Sequence, residues 1–386
     1  NFDRCRSEVV KFENDCRKTT YMLVKQFEMK MAADQDKRTS VSKTGILNTN
    51  TMINYRWSED IFLRNEEIAD GKNHGLVMFI DWSGSMCGCL RETVEQLLSL
   101  VFFCKKVNIP FEVYSFTTNV RIGGLTSRYE AHPDEYGIQY DEFTNTFQKR
   151  RESDGHISDY SCGGFNLNNY LSSRMNSREF KNGTALLWYI MNGAEYSSEC
   201  RVPNEHSLGG TPLNETIFAA ADIVNEFKSR NGIQIVNTIV LTDGEASGGG
   251  SWGENYLIDP KTKKTFKVKG RRYTDACVEW LQDATDANVI GIYLTDSIKN
   301  MRYSFGDIEF ENAKKQWKTH HFVSQPKTGW TEYFVMKSSQ RVDNDAMDSL
   351  EQGATFTKLK NAFCKAAGQR TTSRILLSRF IDLIAA

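Results

Sequence analysis

One stretch of sequence constrains the fold more than any other: residues 75–80 are apolar without interruption, and Asp81 ends the run. Such a run is typical of a strand that is buried on both faces of a parallel sheet. Residues 90–104 follow with apolar positions at helical spacing, and this strand and helix alternation recurs. The later predicted strands are residues 111–116, 233–241 and 289–294, and the later predicted helices are residues 213–227 and 273–281. The sequence therefore predicts an α/β fold with a doubly wound, mostly parallel sheet and helices on both faces.

The chain divides into an N-terminal helical extension with a connector, residues 1–72, and a main domain, residues 73–386. Apolar residues from Phe2 to Phe27 recur every three or four positions, which predicts a helix. This helix either docks on the rest of the chain or forms a coiled-coil seam, and we favour docking because Cys and Phe occupy the stripe. Residues 34–50 are polar and are interpreted as a connector.

The main domain is expected to carry two long insertions, at about residues 119–208 and 249–272, and a closing amphipathic helix at residues 375–384. Smaller elements are predicted within and after the insertions. They are a strand near residues 165–171, a helix near 185–191, a hairpin at 256–268 that projects from the sheet, and a strand at 333–336.

The charge balance excludes several classes of protein. The chain has 386 residues, with 48 Lys and Arg against 49 Asp and Glu, so its formal net charge is -1. This balance gives no electrostatic case for nucleic acid or membrane binding by the whole chain. No apolar run approaches the roughly 20 residues of a membrane helix. The nine cysteines lack paired CxxC spacing, so we expect reduced thiols in a cytoplasmic protein.

A local basic cluster lies in the second insertion, between Lys261 and Arg272, and is interleaved by Phe266 and Tyr273. Such a pattern suits either single-stranded nucleic acid, through phosphate contacts and stacking, or a solvated hairpin edge. We favour the solvated edge, so nucleic acid is not an expected partner.

Polar residues lie at three places where ligands bind in such sheets. Asp81, Ser83 and Ser85 alternate directly after the first strand, Thr211 follows two glycines before a helix, and Asp243 follows another strand. Parallel strands place their carboxyl ends at the same edge of the sheet, so these five residues are expected to lie together. Hydroxyl and carboxylate oxygens suit Mg²⁺ or Mn²⁺, so the five residues are our candidate metal site.

The Asp-x-Ser-x-Ser motif, with the distant Thr211 and Asp243, resembles the metal-ion-dependent adhesion site of von Willebrand factor A (VWA) domains. The resemblance covers roughly residues 75–300 and implies that residues 73–386 form a VWA domain. In that family two Ser hydroxyls and the Thr bind the metal directly, which here implies Ser83, Ser85 and Thr211. The two Asp side chains often act through water, and a carboxylate from a partner completes the coordination.

A finer resemblance, carried by residues 81–86 and 107–118 and by the upstream residues 45–47, is to the VWA-bearing subunit of cobaltochelatase and its bacterial and tailed-phage relatives. Such proteins work beside a hexameric AAA+ ATPase of the MoxR class. The resemblance implies a non-catalytic, Mg²⁺-dependent adaptor that joins the ATPase ring to a carboxylate-bearing client. It implies location in the cytoplasm, or in the host cytoplasm if a phage encodes the chain. The alternative is a subunit of a chelatase complex that inserts a divalent metal into a tetrapyrrole.

Catalytic interpretations of the same residues are weaker. Asp81 at a strand end is also the place for an aspartyl-phosphate nucleophile, but its loop carries hydroxyls where such sites have a second carboxylate. No GxxxxGK[ST] loop is present, so we expect no ATP hydrolysis by this chain. Trp82 and Met86 are interpreted either as apolar contacts for a partner or as packing against the first helix. His206 is interpreted as a surface-loop side chain.

Overall fold

The computed structural model describes most of the chain. The described residues are 2–49, 56–57, 62–68, 73–118, 148–151, 157–159, 165–195, 206–244, 255–259, 261–268, 273–295, 297–299, 307–320, 322–324, 327 and 329–337. Their elements, in chain order, are α1 (Phe2–Arg38), β1 (Thr39–Leu47), β2 (Phe62–Ile68), β3 (His74–Asp81), a 3-10 helix (Gly84–Gly88), α2 (Leu90–Lys106), β4 (Phe111–Thr117), β5 (Gln148–Arg151), β6 (Ile157–Asp159), β7 (Asn166–Ser172), α3 (Ser177–Glu195), α4 (Leu213–Asn231), β8 (Ile235–Thr242), β9 (Asn255–Ile258), β10 (Thr265–Val268), α5 (Tyr273–Thr285), β11 (Asn288–Thr295), α6 (Asp307–His320), β12 (Phe322–Ser324) and β13 (Glu332–Lys337).

Seven strands form the central sheet in the order β12-β13-β11-β8-β3-β4-β7. The five inner strands are parallel, and the two edge strands run antiparallel to their neighbours. From β3 the chain winds through α2 to β4 on one side, and from β8 it winds through α5 to β11 on the other. The order reverses between β3 and β8, which confirms the predicted doubly wound sheet and places a crevice at their carboxyl ends.

Strand β3 explains why the sheet needs helices on both faces. Leu76, Met78 and Ile80 are buried in one apolar cluster, with residues from α1, α2 and α3. Val77 and Phe79 are buried in the other, with residues from α4 and α5. Because successive strand side chains point to opposite faces, an uninterrupted apolar strand is stable only between two such layers.

Helix α1 docks on the rest of the molecule, as predicted. Its residues Cys5, Val9 and Val24 are buried in the cluster on the α2 and α3 side. Phe12 packs on α3, with its ring centroid 5.4 Å from that of Trp188. The apolar stripe is therefore an internal contact of this chain.

The expectation of a connector at residues 34–50 is wrong. Helix α1 continues to Arg38, and β1 then pairs antiparallel with β2, with Thr39 opposite Ile68. These strands are rich in polar residues, so their sequence lacks the apolar alternation by which a half-buried strand is recognised.

The first expected insertion is only partly an insertion. Strand β7 pairs with β4 at the edge of the central sheet, and α3 packs against α1 and α2. The predicted strand near 165–171 and helix near 185–191 are both confirmed, as is the strand at 333–336, but the first two belong to the central architecture. Helix α6 and strand β12 were not predicted.

The predicted hairpin at 256–268 is present as β9 and β10, but it does not project. It joins β5 and β6 in a four-stranded sheet and packs against α5, where Phe266 and Tyr273 are buried in the core. Neither ring presents a face for base stacking, whereas Lys261 and Lys263 are exposed. These contacts agree with a solvated basic edge and remove the aromatic part of the nucleic acid interpretation.

Three further predictions concern single features. The predicted closing helix at 375–384 lies outside the described residues. Within the described part of the chain, no helix combines the length and apolar content that crossing a bilayer requires. The six described cysteines, Cys5, Cys16, Cys87, Cys89, Cys104 and Cys277, carry no disulfide.

Candidate metal centre

The candidate site begins where β3 ends. Asp81 is the last residue of β3 and is fully buried. Trp82 continues the sheet by one hydrogen bond, its N–H donating to the Phe116 carbonyl at 2.9 Å. Ser83 is still extended, with φ -97° and ψ 161°, and the chain then turns into the 3-10 helix. This change of direction places two serines over the end of the strand.

The loop before α4 is tied to the end of β3 by backbone hydrogen bonds. Gly84 N–H donates to the Gly209 carbonyl at 2.9 Å, and Gly209 N–H donates to the Trp82 carbonyl at 3.0 Å. The next residue, Gly210, donates its N–H to Thr118 Oγ1 at 2.7 Å. This pairing fixes the position of the loop that carries Thr211.

Three predicted ligands form a hydrogen-bonded row. The Ser83 and Ser85 hydroxyl oxygens are 3.0 Å apart, and the Ser85 hydroxyl donates to Asp243 Oδ1 at 2.8 Å. Thr211 also faces the site, because its hydroxyl acts on Asp81 and lowers the pKa of that carboxyl group. The structure therefore brings together residues from three distant segments, as the sequence predicts.

Asp81 lies beneath this row and is only half satisfied. Thr242 Oγ1 donates to Asp81 Oδ2 at 2.6 Å and accepts the Gly244 N–H at 3.1 Å. Asp81 Oδ1 is buried and has no hydrogen-bond partner among the described residues. Thr242 was missed as a site residue, although its place at the end of β8 beside β3 was the available signal.

The site carries two carboxyl groups, of which Asp81 is fully buried and Asp243 is half-buried. Burial raises the pKa of Asp81 to about 7, and the nearby Asp243 raises it further, against the lowering effect of the Thr242, Ser83 and Thr211 hydroxyls. Burial also raises the pKa of Asp243, while the hydrogen bond from Ser85 lowers it. Within the described residues neither carboxylate has an ion-pair partner, so a cation bound here would offset charge that no side chain of the site neutralises.

The donor set fits a hard cation. The described residues contain no group of three or more His, Cys, Asp or Glu side chains that could hold a metal ion. The candidate site is not such a cluster, because hydroxyls supply three of its five possible metal-binding side chains. Oxygen donors with few charges suit Mg²⁺ or Mn²⁺, which retain waters, better than Zn²⁺ or copper. The unpartnered Asp81 Oδ1 is the polar atom that a hydrated cation would satisfy.

Trp82 and Met86 are fully buried, so the interpretation of these residues as partner contacts is wrong and their packing role is confirmed. The Trp82 indole N–H donates to the His206 carbonyl at 2.9 Å, and Tyr170 OH lies 2.8 Å from His206 Nδ1. His206 is half-buried by these contacts rather than a surface-loop side chain. Tyr170 and His206 therefore support the loop that carries Thr211, a role that no sequence spacing indicates.

Comparison with known proteins gives little further information. Neither a protein-family model nor a curated protein matches the chain. The chain is similar to the open conformation of the pilus adhesin SpaC from Lactobacillus rhamnosus GG, with 12% identity and a TM-score of 0.34 over 83% of this chain and 31% of that one. It is also similar to three N-terminal domains of the type V pili tip protein Mfa5 from Porphyromonas gingivalis, with 11% identity and a TM-score of 0.21 over 54% and 26% of the two chains. The chain thus spans about a third or less of the length of these two structures.

Proposed function

We propose that this chain is a VWA-domain protein that binds Mg²⁺ or Mn²⁺ and captures a carboxylate of a partner protein without performing catalysis. One observation carries the proposal. The hydroxyls of Ser83 and Ser85 and the carboxylate of Asp243 form a continuous row above the unpartnered Asp81 Oδ1, at the crevice where the sheet reverses. Thr211 borders the same crevice.

The residues divide into two roles in this proposal. Ser83, Ser85 and Thr211 hold the cation through neutral hydroxyls, and Asp81 and Asp243 hold its water ligands. A cation held mostly by neutral groups keeps much of its positive charge, so it supplies attraction for an incoming carboxylate. The buried Thr242 hydroxyl orients Asp81, and Ser85 orients Asp243.

The partners in the proposal are an AAA+ ring of the MoxR class and an acidic protein client, and the compartment is the cytoplasm. The support is the resemblance of residues 81–86 and 107–118 to the VWA-bearing chelatase subunits and their relatives. The doubly wound sheet is compatible with this resemblance, because it offers the strand ends that such a site requires.

Titration calorimetry with Mg²⁺ and Mn²⁺ tests the metal site. We expect measurable but weak binding to the wild-type chain and a loss of about tenfold or more in Asp243→Ala and in the Ser83→Ala, Ser85→Ala double variant. Ser229→Ala, on the exposed face of α4, is the matched control and should bind like wild type. Equal metal uptake by all the proteins would contradict the assignment.

Pull-down from native lysate tests the capture of a partner. Proteins retained by the wild type should be lost with EDTA, restored by added Mg²⁺, and lost in the double serine variant. Retention of every partner by the double variant, with or without EDTA, would rule out metal-bridged capture.

Incubation of the purified chain with ATP tests the absence of catalysis. ATP turnover that survives repurification and disappears in Asp81→Ala would refute the non-catalytic interpretation.

A further inference from the structure

A second concave surface lies between α1, the end of α2 and the start of α3. It encloses about 900 Å³. Five cationic side chains line it, and we call it the basic groove, defined by Arg6, Lys105, Lys106, Arg178 and Lys181. The acidic residue that lines it is Glu13. The groove therefore carries an excess of positive charge in a chain whose overall charge is close to zero.

The cations of the groove are largely unneutralised. Within the described part of the chain, Lys105, Lys106, Arg178 and Lys181 have no ion-pair partner, whereas Arg6 pairs with Asp3 at 3.5 Å. Partial burial lowers the pKa of Lys105, and the nearby Lys181 lowers it further while Glu13 opposes the effect. The repulsion between such crowded like charges is reduced when an anionic ligand binds.

Between the cations the groove lining is mixed, with apolar side chains beside the polar Ser177, Asn182 and Thr184. Val9 and Phe102 are buried beneath it, and Val10 is 51% exposed beside them. Lys105 Nζ lies 3.5 Å from the centroid of the Phe180 ring, so a cation already covers that ring. With no open aromatic face among these residues, stacking of nucleic acid bases is disfavoured. The mixture instead suits a peptide with both carboxylates and an apolar side chain.

The walls of the groove are held in place by contacts on either side. Arg6 donates to Asn182 Oδ1 at 2.7 Å, and the Trp188 indole N–H donates to Glu8 at 3.0 Å, so α1 is fixed along α3. The first amides of α3 donate to Asn176 Oδ1 at 3.0 Å, so side-chain cations, not the helix terminus, give the groove its charge. Such preorganisation lowers the entropic cost of binding.

We propose that the basic groove binds an acidic segment of a partner protein, whose carboxylates pair with its cations and whose apolar side chain packs on Val10. The groove is distinct from the candidate metal centre. Lys105 follows Leu90 by about 15 residues of α2, which is about 22 Å of helix. The proposal does not depend on metal binding, so the two surfaces are tested separately.

The test uses a fluorescein-labelled, Glu-rich peptide carrying two leucines one helical turn apart, measured by anisotropy with the full chain in EDTA. We expect saturable binding that weakens with salt, because the attraction is between exposed charges. The Lys105→Glu, Lys181→Glu variant should bind about tenfold more weakly or worse. The control variant Lys261→Glu, Lys299→Glu makes the same charge change elsewhere and should bind at least half as tightly as wild type.

Two further measurements separate the apolar contribution to peptide binding from the electrostatic contribution and from loss of the fold. Val10→Ser should weaken the Glu-Leu peptide severalfold and leave a leucine-free Glu peptide unchanged, and circular dichroism should show every variant folded. No saturable binding by the wild type, or equal loss in the two charge variants, would overturn the proposal. Tighter binding of a single-stranded oligonucleotide that is lost in Lys105→Glu, Lys181→Glu would also overturn it, in favour of a nucleic acid surface.

Discussion

Replacing Asp81 by Asn is expected to stabilise the metal-free protein while abolishing its response to Mg²⁺. Burial raises the pKa of Asp81 to about 7 from an ordinary value of 3.8, so keeping it ionised in the folded state at pH 8 costs roughly three pKa units, about 4 kcal/mol. Asn keeps the shape and removes the charge. Part of the gain is offset because the hydrogen bond from Thr242 loses its charged acceptor. We therefore expect the free energy of unfolding in EDTA at pH 8 to rise by about 2 to 4 kcal/mol.

The same pKa shift also predicts how the free energy of unfolding changes with pH. The folded state holds the Asp81 proton more tightly than the unfolded state does, so its contribution to stability is fully present below pH 3.8. That contribution is lost as the pH rises from there to about 7, and it stays constant above. The advantage of Asp81→Asn over wild type should therefore fall by more than half between pH 8 and pH 5.

Urea unfolding followed by tryptophan fluorescence measures these differences, in EDTA and with Mg²⁺. Mg²⁺ should stabilise the wild type, because it binds only the folded site, and should leave Asp81→Asn unchanged. Asp222→Asn, the same substitution on the exposed face of α4, should alter stability by less than about 0.5 kcal/mol. If Asp81→Asn is no more stable than wild type in EDTA at pH 8, burial of the ionised Asp81 carboxylate does not destabilise the folded state as we infer.

Three predictions concern the support of the sheet and site. A Cβ at Gly291 would lie 2.4 Å from a ring carbon of Tyr333, so Gly291→Ala should cost about 1 to 3 kcal/mol in thermal denaturation, and an unchanged melting temperature would contradict this packing. Glu112 is buried and ion-paired with two arginines, so Glu112→Ala should cost about 2 kcal/mol in urea unfolding, with an unchanged midpoint as the refuting result. Tyr170→Phe removes the hydroxyl that contacts His206, and it should weaken Mg²⁺ binding about threefold by calorimetry. The free energy of unfolding should stay within about 1 kcal/mol of the wild-type value. Equal Mg²⁺ affinity in the two proteins would show that this contact does not position the loop.

The central sheet could be predicted because its evidence is local. The apolar run of β3 requires cover on both faces, and the alternation of strands and helices supplies that cover. The convergence of Asp81, Thr211 and Asp243 then follows from topology, since parallel strands place their carboxyl ends at the same edge of the sheet. Whether these residues hold a metal stays a prediction.

The missed features depend on partners that are distant in sequence. Strand β7 belongs to the central sheet only because β4 has a free edge for it, and no pattern within residues 166–172 reports that pairing. The burial of Trp82 is set by Tyr170 and by the His206 carbonyl, which belong to other segments. Strand pairing and side-chain burial of this kind are decided by tertiary context, so local propensity does not reveal them.

The two proposed surfaces differ in how they depend on helix α1. Every residue of the candidate metal centre lies between Asp81 and Asp243, on strand ends and loops of the central sheet. The basic groove instead needs α1, which supplies Arg6, Val9 and Val10 as one of its walls. Because α1 is held by contacts such as that between Phe12 and Trp188, loss of this docking would open the groove while leaving the contacts of the metal centre in place. Two helices connect the surfaces: α2 joins the loop at one with the lysines at the other, and α3 supplies Arg178 and Lys181 to the groove and contacts the 3-10 helix of the metal centre.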